Sequence, residues 1–128
     1  APELPTSAAE WAASESLIEL GGRVVEGLLL SQSYNPSDGS ARFRQFQAAY
    51  LERFGRQPGI SAVASYDATT VLLQALMRRQ RGEDMKEAVL RHGPFDGLQQ
   101  AIGFDRFGDT QRRVYFTQVR DGQFVLVP

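Results

Sequence analysis

Ser61-Ala62-Val63-Ala64-Ser65-Tyr66-Asp67-Ala68, continued to about Met77, decides how this chain is read. Here small residues (Ala62, Ala64, Ala68) alternate with larger ones (Val63, Tyr66, Val71, Leu72, Leu73, Leu76) in its longest apolar run. A helix that is small and apolar on several faces lets other elements approach closely, so the run predicts a helix over about 62–79 near the centre of the fold. Tyr66 is expected in the core or as the wall of a cleft. Asp67 is expected to gain from the positive end of the helix dipole.

Upstream, Phe43, Phe46, Tyr50 and Phe54 recur at helical spacing behind Ser40, an expected N-cap, and Gly55 and Pro58 end that helix. Ser31 to Gly39 is loop chemistry, with Asn35-Pro36 and Asp38-Gly39 as turn signals. Val24-Val25-Glu26-Gly27-Leu28-Leu29-Leu30 reads as a short buried strand interrupted by Glu26 and Gly27. Ser7-Ala8-Ala9-Glu10 has the pattern of a capping box, predicting a helix to about Glu19 stopped by Gly21-Gly22.

Downstream, Asp84 to Arg91 predicts a short amphipathic helix ending at His92-Gly93-Pro94. From Phe95 onward the period changes to two. Leu98–Phe104 predicts a weak strand, Asp105–Asp109 a tight turn, and Arg113–Val119 a clear strand. Asp121-Gly122 turns it into Phe124–Val127. The order α-β-α-α-α-β-β-β gives an α/β fold with a C-terminal antiparallel hairpin.

The 128 residues amount to one domain or a piece of a larger protein. The opening Ala1-Pro2, without an initiator Met, fits a processed or excised segment. With 14 basic and 15 acidic residues, no global field points to nucleic acid or a membrane surface. Unbroken apolar runs such as Leu28-Leu29-Leu30 fall far below the ~20 residues of a membrane span. No cysteine is present, which excludes disulfides and thiolate metal sites.

The residues offer no catalytic apparatus. The single His92 stands at a helix end, where capping explains it. One histidine without cysteine builds no familiar zinc site, and no metal or other cofactor is expected. Asp105 and Asp109 lack the alternating oxygen ligands of a calcium loop. Arg78, Arg79 and Arg81 complement a helix C-terminus. Glu26, expected in a buried strand, needs a partner or a route to solvent.

Taken together, Val25-Glu26-Gly27-Leu28, Gln32-Ser33-Tyr34-Asn35-Pro36, Phe54-Gly55-Arg56-Gln57-Pro58, Ser65-Tyr66-Asp67-Ala68, Gly103-Phe104-Asp105 with Gly108-Asp109, and Asp121-Gly122-Gln123-Phe124 resemble the type I periplasmic-binding-protein family. The nearest branch is that of leucine/isoleucine/valine-binding proteins, also called extracellular ligand-binding receptors. The blocks span about Trp11 to Val127, and their order and spacing fit. The resemblance implies part of a Rossmann-like, three-layer lobe in which only the C-terminal portion of the family pattern is present.

By that resemblance, residues 1–31 end a second-lobe segment and 32–35 form a hinge crossing. Residues 36–112 complete the first lobe, 113–117 cross again, and 118–128 return as the final second-lobe hairpin. Hinge residues would be Gln32, Ser33, Tyr34, Asn35, Tyr115 and Phe116, and Ser61 and Tyr66 would line the cleft wall. Most ligand-holding positions of the family lie upstream of the matched part. A small polar Ser61 departs from the bulky apolar residue of leucine-binding members and suits a larger or more polar ligand. Gln99-Gln100 departs from a usual glycine.

The implied function is that of the solute-binding component of a bacterial ABC transporter for amino acids, branched-chain ones included, or aromatic and other small organic acids. Such a protein is periplasmic or extracellular, closes by hinge bending around its solute and docks a membrane permease. A ligand-sensing domain of a receptor or regulator is the alternative, distinguishable by upstream sequence. A small α/β enzyme acting through Asp67 or Glu26 is the third, disfavoured because no acid, base and nucleophile converge. Cut from its lobe, the piece is expected to expose strand edges and apolar surface and to self-associate.

Overall fold

A computed structural model of the chain describes residues 4–127; the Ala1-Pro2 start and Pro128 lie outside them. The chain gathers into two compact units, one built from residues up to Ser61 together with those from Arg113 onward, the other from Ala62–Arg112.

The first unit is organised by a four-stranded sheet in the order β1 (Ser7–Ala8), β2 (Leu29–Gln32), β6 (Tyr115–Arg120), β7 (Gln123–Val127). β1 runs parallel to β2, and the other pairs are antiparallel. Ala13, Leu30 and Val119 form its buried core, with Leu17, Ile18, Leu28 and Phe124 packed around them. The β6–β7 hairpin turns at Asp121 and Gly122, with φ of 51° and 68°. Two successive left-handed residues match the right-handed twist of paired strands, which is why Asp-Gly serves here.

The N-terminal capping box does not form. Ser7 and Ala8 pair with Leu29 and Leu30 instead, because the β2 edge offers backbone partners that a local box cannot match. A 3-10 turn follows at Glu10–Ala12, and α1 (Glu15–Gly21) is capped by Ser14, whose Oγ accepts the Leu17 N–H at 3.3 Å. The strand expected over 24–30 is also displaced. Gly22–Val25 is a 3-10 turn, Gly27 sits at φ 82°, and extended structure starts only at Leu29 and continues through Ser31-Gln32, assigned to loop by sequence. Glu26 therefore lies outside the strand. Its carboxylate accepts the N–H groups of Asp121 (3.1 Å) and Gly122 (2.8 Å), holding the hairpin turn.

α2 (Ala41–Phe54) begins at Ser40, whose Oγ accepts the Phe43 N–H, and ends at a left-handed Gly55, as its sequence predicts. Phe43, Phe46, Tyr50 and Phe54 form a ladder with ring centroids 6.4, 5.8 and 4.5 Å apart, of which only Phe43 is buried.

α3 (Ile60–Arg78) enters the second unit, which continues with α4 (Met85–Arg91) and the antiparallel strands β3 (Phe95–Asp96), β4 (Ala101–Phe104) and β5 (Thr110–Gln111). The expected strand 98–104 is thus only its second half. The two-residue β3 and β5 beside it, and the β6 start two residues after Arg113, were not legible. α3 does not present apolar residues to neighbours all round. Only the stripe Val63, Asp67, Val71, Ala75 is buried, while Leu72, Leu73, Leu76 and Met77 are more than half exposed. By length and composition alone α3 would reach across a membrane, which a search for unbroken apolar runs overlooks.

Polar side chains tie α3 into its unit. Asp67 is 5% exposed; its Oδ1 accepts the Leu98 N–H at 2.7 Å and its Oδ2 lies 3.8 Å from the Arg112 guanidinium. Gln74 accepts the Asp96 N–H and donates to the Asp96 carbonyl, at 3.1 and 3.2 Å. Arg78 donates to the His92 and Pro94 carbonyls and lies over the Phe95 ring. Val71, Ala75, Ala88, Phe95 and Ile102 close the core beneath these bonds.

α4 is opened by a reciprocal capping box between Asp84 and Glu87 and closed by His92. The His92 ring pairs with buried Glu83 at 2.8 Å. The Gln80 amide and then the His92 ring hold the Glu83 carboxyl below the usual carboxylate range, against the opposing effect of desolvation. Asp105 accepts the N–H groups of Phe107 and Asp109, a turn as expected.

Asp67→Ala leaves the Leu98 N–H and Arg112 without their buried acceptor, and is expected to destabilise the chain by about 1–3 kcal/mol. Asp67→Asn, which keeps an acceptor oxygen, should recover most of that; urea unfolding of both variants checks it.

Candidate functional site

The two segments expected as hinge crossings adjoin at Gln32 and Tyr115 in the sheet of the first unit. β2 ends at Gln32 and β6 opens at Tyr115, and the register sets Gln32 opposite Tyr115 and Ser31 opposite Phe116. Side chains alternate across a strand, so Gln32 shares the buried face with Leu30, Thr117 and Val119. Gln32 is 1% exposed and its Nε2 donates to Thr117 Oγ1 at 2.6 Å, while its Oε1 has no partner in the protein. A polar pair placed beside an apolar core is satisfied in only one register, which pins the two strands together.

The exit from β2 is held by short-range bonds. Glu10 Oε1 accepts the Ser33 N–H at 3.0 Å and also the Ser33 hydroxyl. Asn35 Oδ1 accepts the Ser37 N–H at 2.9 Å, and Asp38 Oδ1 accepts the Ser40 N–H at 2.8 Å. Two such turns in series replace ladder bonds by local ones, and the chain leaves the sheet there.

Tyr34 lies just before these turns, 7% exposed. It lines a depression of about 340 Å³ with Pro36, Phe43, Leu51 and Pro58. Burial, and then the nearby Glu15 carboxylate, push its hydroxyl from 10.0 up to about 12.

Ser61 and Tyr66, the cleft-wall candidates, are both exposed on α3, Tyr66 by 42%. Five residues apart on an α-helix, they stand about 140° from each other around the axis. The structure thus brings Gln32, Tyr115 and Phe116 of the hinge candidates into one sheet, leaves Ser33, Tyr34 and Asn35 in the loop after β2, and sets the two wall candidates on different faces of their helix. Sequence reasoning missed the Gln32–Thr117 pair, the Glu10–Ser33 clamp and Glu15. Only Glu10 carried a signal, and its S-x-x-E pattern pointed to a different bond. Among the described residues, no cluster of three His, Cys, Asp or Glu could hold a metal ion. Asp67 and Glu26, the candidates for an enzyme reading, are both engaged in structural bonds.

Comparison with known proteins agrees with this architecture. A leucine-binding protein, LivK, of Thermotoga maritima superposes with a TM-score of 0.80 at 30% identity, over 95% of this chain and 36% of that one. A substrate-binding protein of an ABC transporter from Desulfitobacterium hafniense, in complex with leucine, gives 0.75 at 26% identity, over 98% and 36%. A solute-binding protein of Rhodopseudomonas palustris in complex with benzoate gives 0.68 at 16%, over 87% and 32%, a likeness of fold alone. The chain therefore spans about a third of the length of these structures. No curated protein matches it in sequence. These relatives are solute-binding proteins and not enzymes.

Tyr34 supplies a pH signature. Its folded pKa lies above the unfolded value, so its contribution is complete below pH ~10 and is lost as pH rises toward ~12, a total of roughly 3 kcal/mol. Tyr34→Phe should abolish that alkaline loss and remove the highest step of the tyrosinate absorbance titration; an unchanged titration contradicts the assignment.

With the fold and the β2–β6 pairing in place, the match of a family sequence model to residues 6–123 completes the assignment: the chain belongs to the periplasmic binding proteins.

Proposed function

We propose that this chain is the C-terminal portion of the solute-binding component of a bacterial ABC transporter, acting in the periplasm or outside the cell. Its solute would be an amino acid or a similar small organic acid, held between two lobes that close by bending at the crossings. The observation that carries this reading is the LivK likeness, 30% identity over 95% of the chain. The side-by-side pairing of Gln32 with Tyr115 supports residues 32–35 and 113–117 as crossings. On this reading residues 1–31 and 118–128 belong to the second lobe and 36–112 to the first. Ser61, exposed at the start of α3, would face the solute as a small polar wall residue, with Tyr66 as the second wall position.

Closure of a hinged pair needs a ligand that binds the closed form better than the open one. The permease would read that closed form. Most of the groups that hold the solute would be supplied upstream, and this portion would contribute a wall and the hinges.

Calorimetric titration with leucine and with benzoate tests the reading. The 128-residue chain is expected to bind neither, and the protein carrying the upstream lobe segments to bind one of them. Saturable binding by the chain alone, or by neither protein, counts against it.

The exposed Leu72, Leu73, Leu76 and Met77 of α3, with Met77 85% exposed, support self-association of the isolated chain. Light scattering should give a mass that rises with concentration; a strictly monomeric mass at high concentration contradicts this.

A further inference from the structure

The depression beside Tyr34 is walled by the loop that leaves β2 and by one stripe of α2. Phe43, Gln47 and Leu51 recur every four residues, so they share a face of α2, and all three line the depression. Gln57 and Pro58, just beyond the Gly55 that ends α2, complete the lining. At about 340 Å³ the space lies at the small end of the ~300–1,000 Å³ that small-molecule sites occupy. Tyr34 is only 7% exposed, yet its hydroxyl makes no hydrogen bond to any described residue. A withdrawn phenol without a partner is costly, and a molecule seated in the depression would satisfy it.

We propose that this depression binds a small uncharged aromatic amide, with the Tyr34 hydroxyl donating to the amide oxygen. The lining residues select that chemistry. No Lys, Arg, Asp or Glu is among them, so a charged ligand would lose its water and find nothing to pair with. The side chains of Gln47 and Gln57 both donate and accept, which matches the two-sided hydrogen bonding of an amide group. Pro36, Phe43 and Leu51 supply apolar walls for a flat ring. An apolar body with one or two fixed polar contacts is the usual balance of a small-molecule site. All of these residues fall within 34–58 of the first unit, so the proposal does not depend on the two-lobe reading.

The test is a heteronuclear NMR titration of the 128-residue chain with benzamide, and with benzoate as the charged molecule of the same shape. Benzamide is expected to bind saturably and to shift the Tyr34, Gln47 and Leu51 signals, and benzoate to bind about ten-fold or more weakly. Tyr34→Phe, which keeps the ring, should weaken benzamide about two- to ten-fold, the worth of one hydrogen bond. Ala48→Trp, at an exposed position lining the depression, should abolish binding by filling the space. Gln47→Ala, a mild change on a helix, should weaken binding by a similar factor to Tyr34→Phe and keeps the test decisive if the tryptophan disturbs α2. Absence of saturable benzamide binding, equal binding of benzoate, or binding that neither Tyr34→Phe nor Gln47→Ala weakens overturns the proposal. The two-lobe reading is tested with leucine and benzoate on the protein carrying the upstream segments, so each stands or falls without the other.

Discussion

The pairing of β2 with β6 is the constraint on which the rest of the first unit depends. It joins residues 85 positions apart through Gln32 and Thr117, and both side chains are almost wholly withdrawn from water. A slip of β2 by one residue would turn Gln32 and Leu30 away from the face that holds Thr117 and Val119 and put Ser31 there instead. It would also separate Leu30 from Val119, which with Ala13 form the core of that unit. Register and core are therefore one decision. The chain pays for it with a buried amide oxygen left without a protein partner, a cost tolerated only where specificity is gained.

The second unit is held differently. There the helix supplies the polar groups and the strands supply the backbone. Asp67 and Gln74 reach from α3 to the main chain at Leu98 and Asp96, and Arg78 reaches the carbonyls at His92 and Pro94. Strands of two residues cannot stabilise themselves by ladder bonds alone. Side-chain bonds from the helix complete what β3 lacks, and the apolar contacts of Val71, Ala75 and Phe95 lie directly beneath.

What was legible in the sequence was what local chemistry determines. Ser40 and Gly55 bound α2, and Asp121-Gly122 turns the hairpin, because each satisfies or redirects its own backbone. The two capping-box patterns separate local from distant effects. Asp84-x-x-Glu87 forms its box at the start of α4, where no strand competes. Ser7-x-x-Glu10 does not, because the edge of β2 takes the Ser7 backbone and Ser33 takes the Glu10 side chain. The displaced strand at 24–30 has a local cause: Gly22 and Gly27 adopt positive φ, which no periodicity reveals. The expectation of crossings at 32–35 and 113–117 came from the family resemblance, since nothing in the residues alone points to them. That Ser61 and Tyr66 stand about 140° apart around α3 follows from helical geometry and not from any motif.

The 3-10 turn at Glu10–Ala12 carries the chain's one tryptophan, Trp11, 86% exposed. Its neighbour Glu10 is bonded to Ser33 at the exit from the sheet. An indole in water, one residue from the bond that holds Ser33 at the end of β2, is an intrinsic optical reporter of that bond. Its emission is uncontaminated by any second tryptophan in this chain, so rearrangement at Ser33 can be followed in real time without attaching a dye.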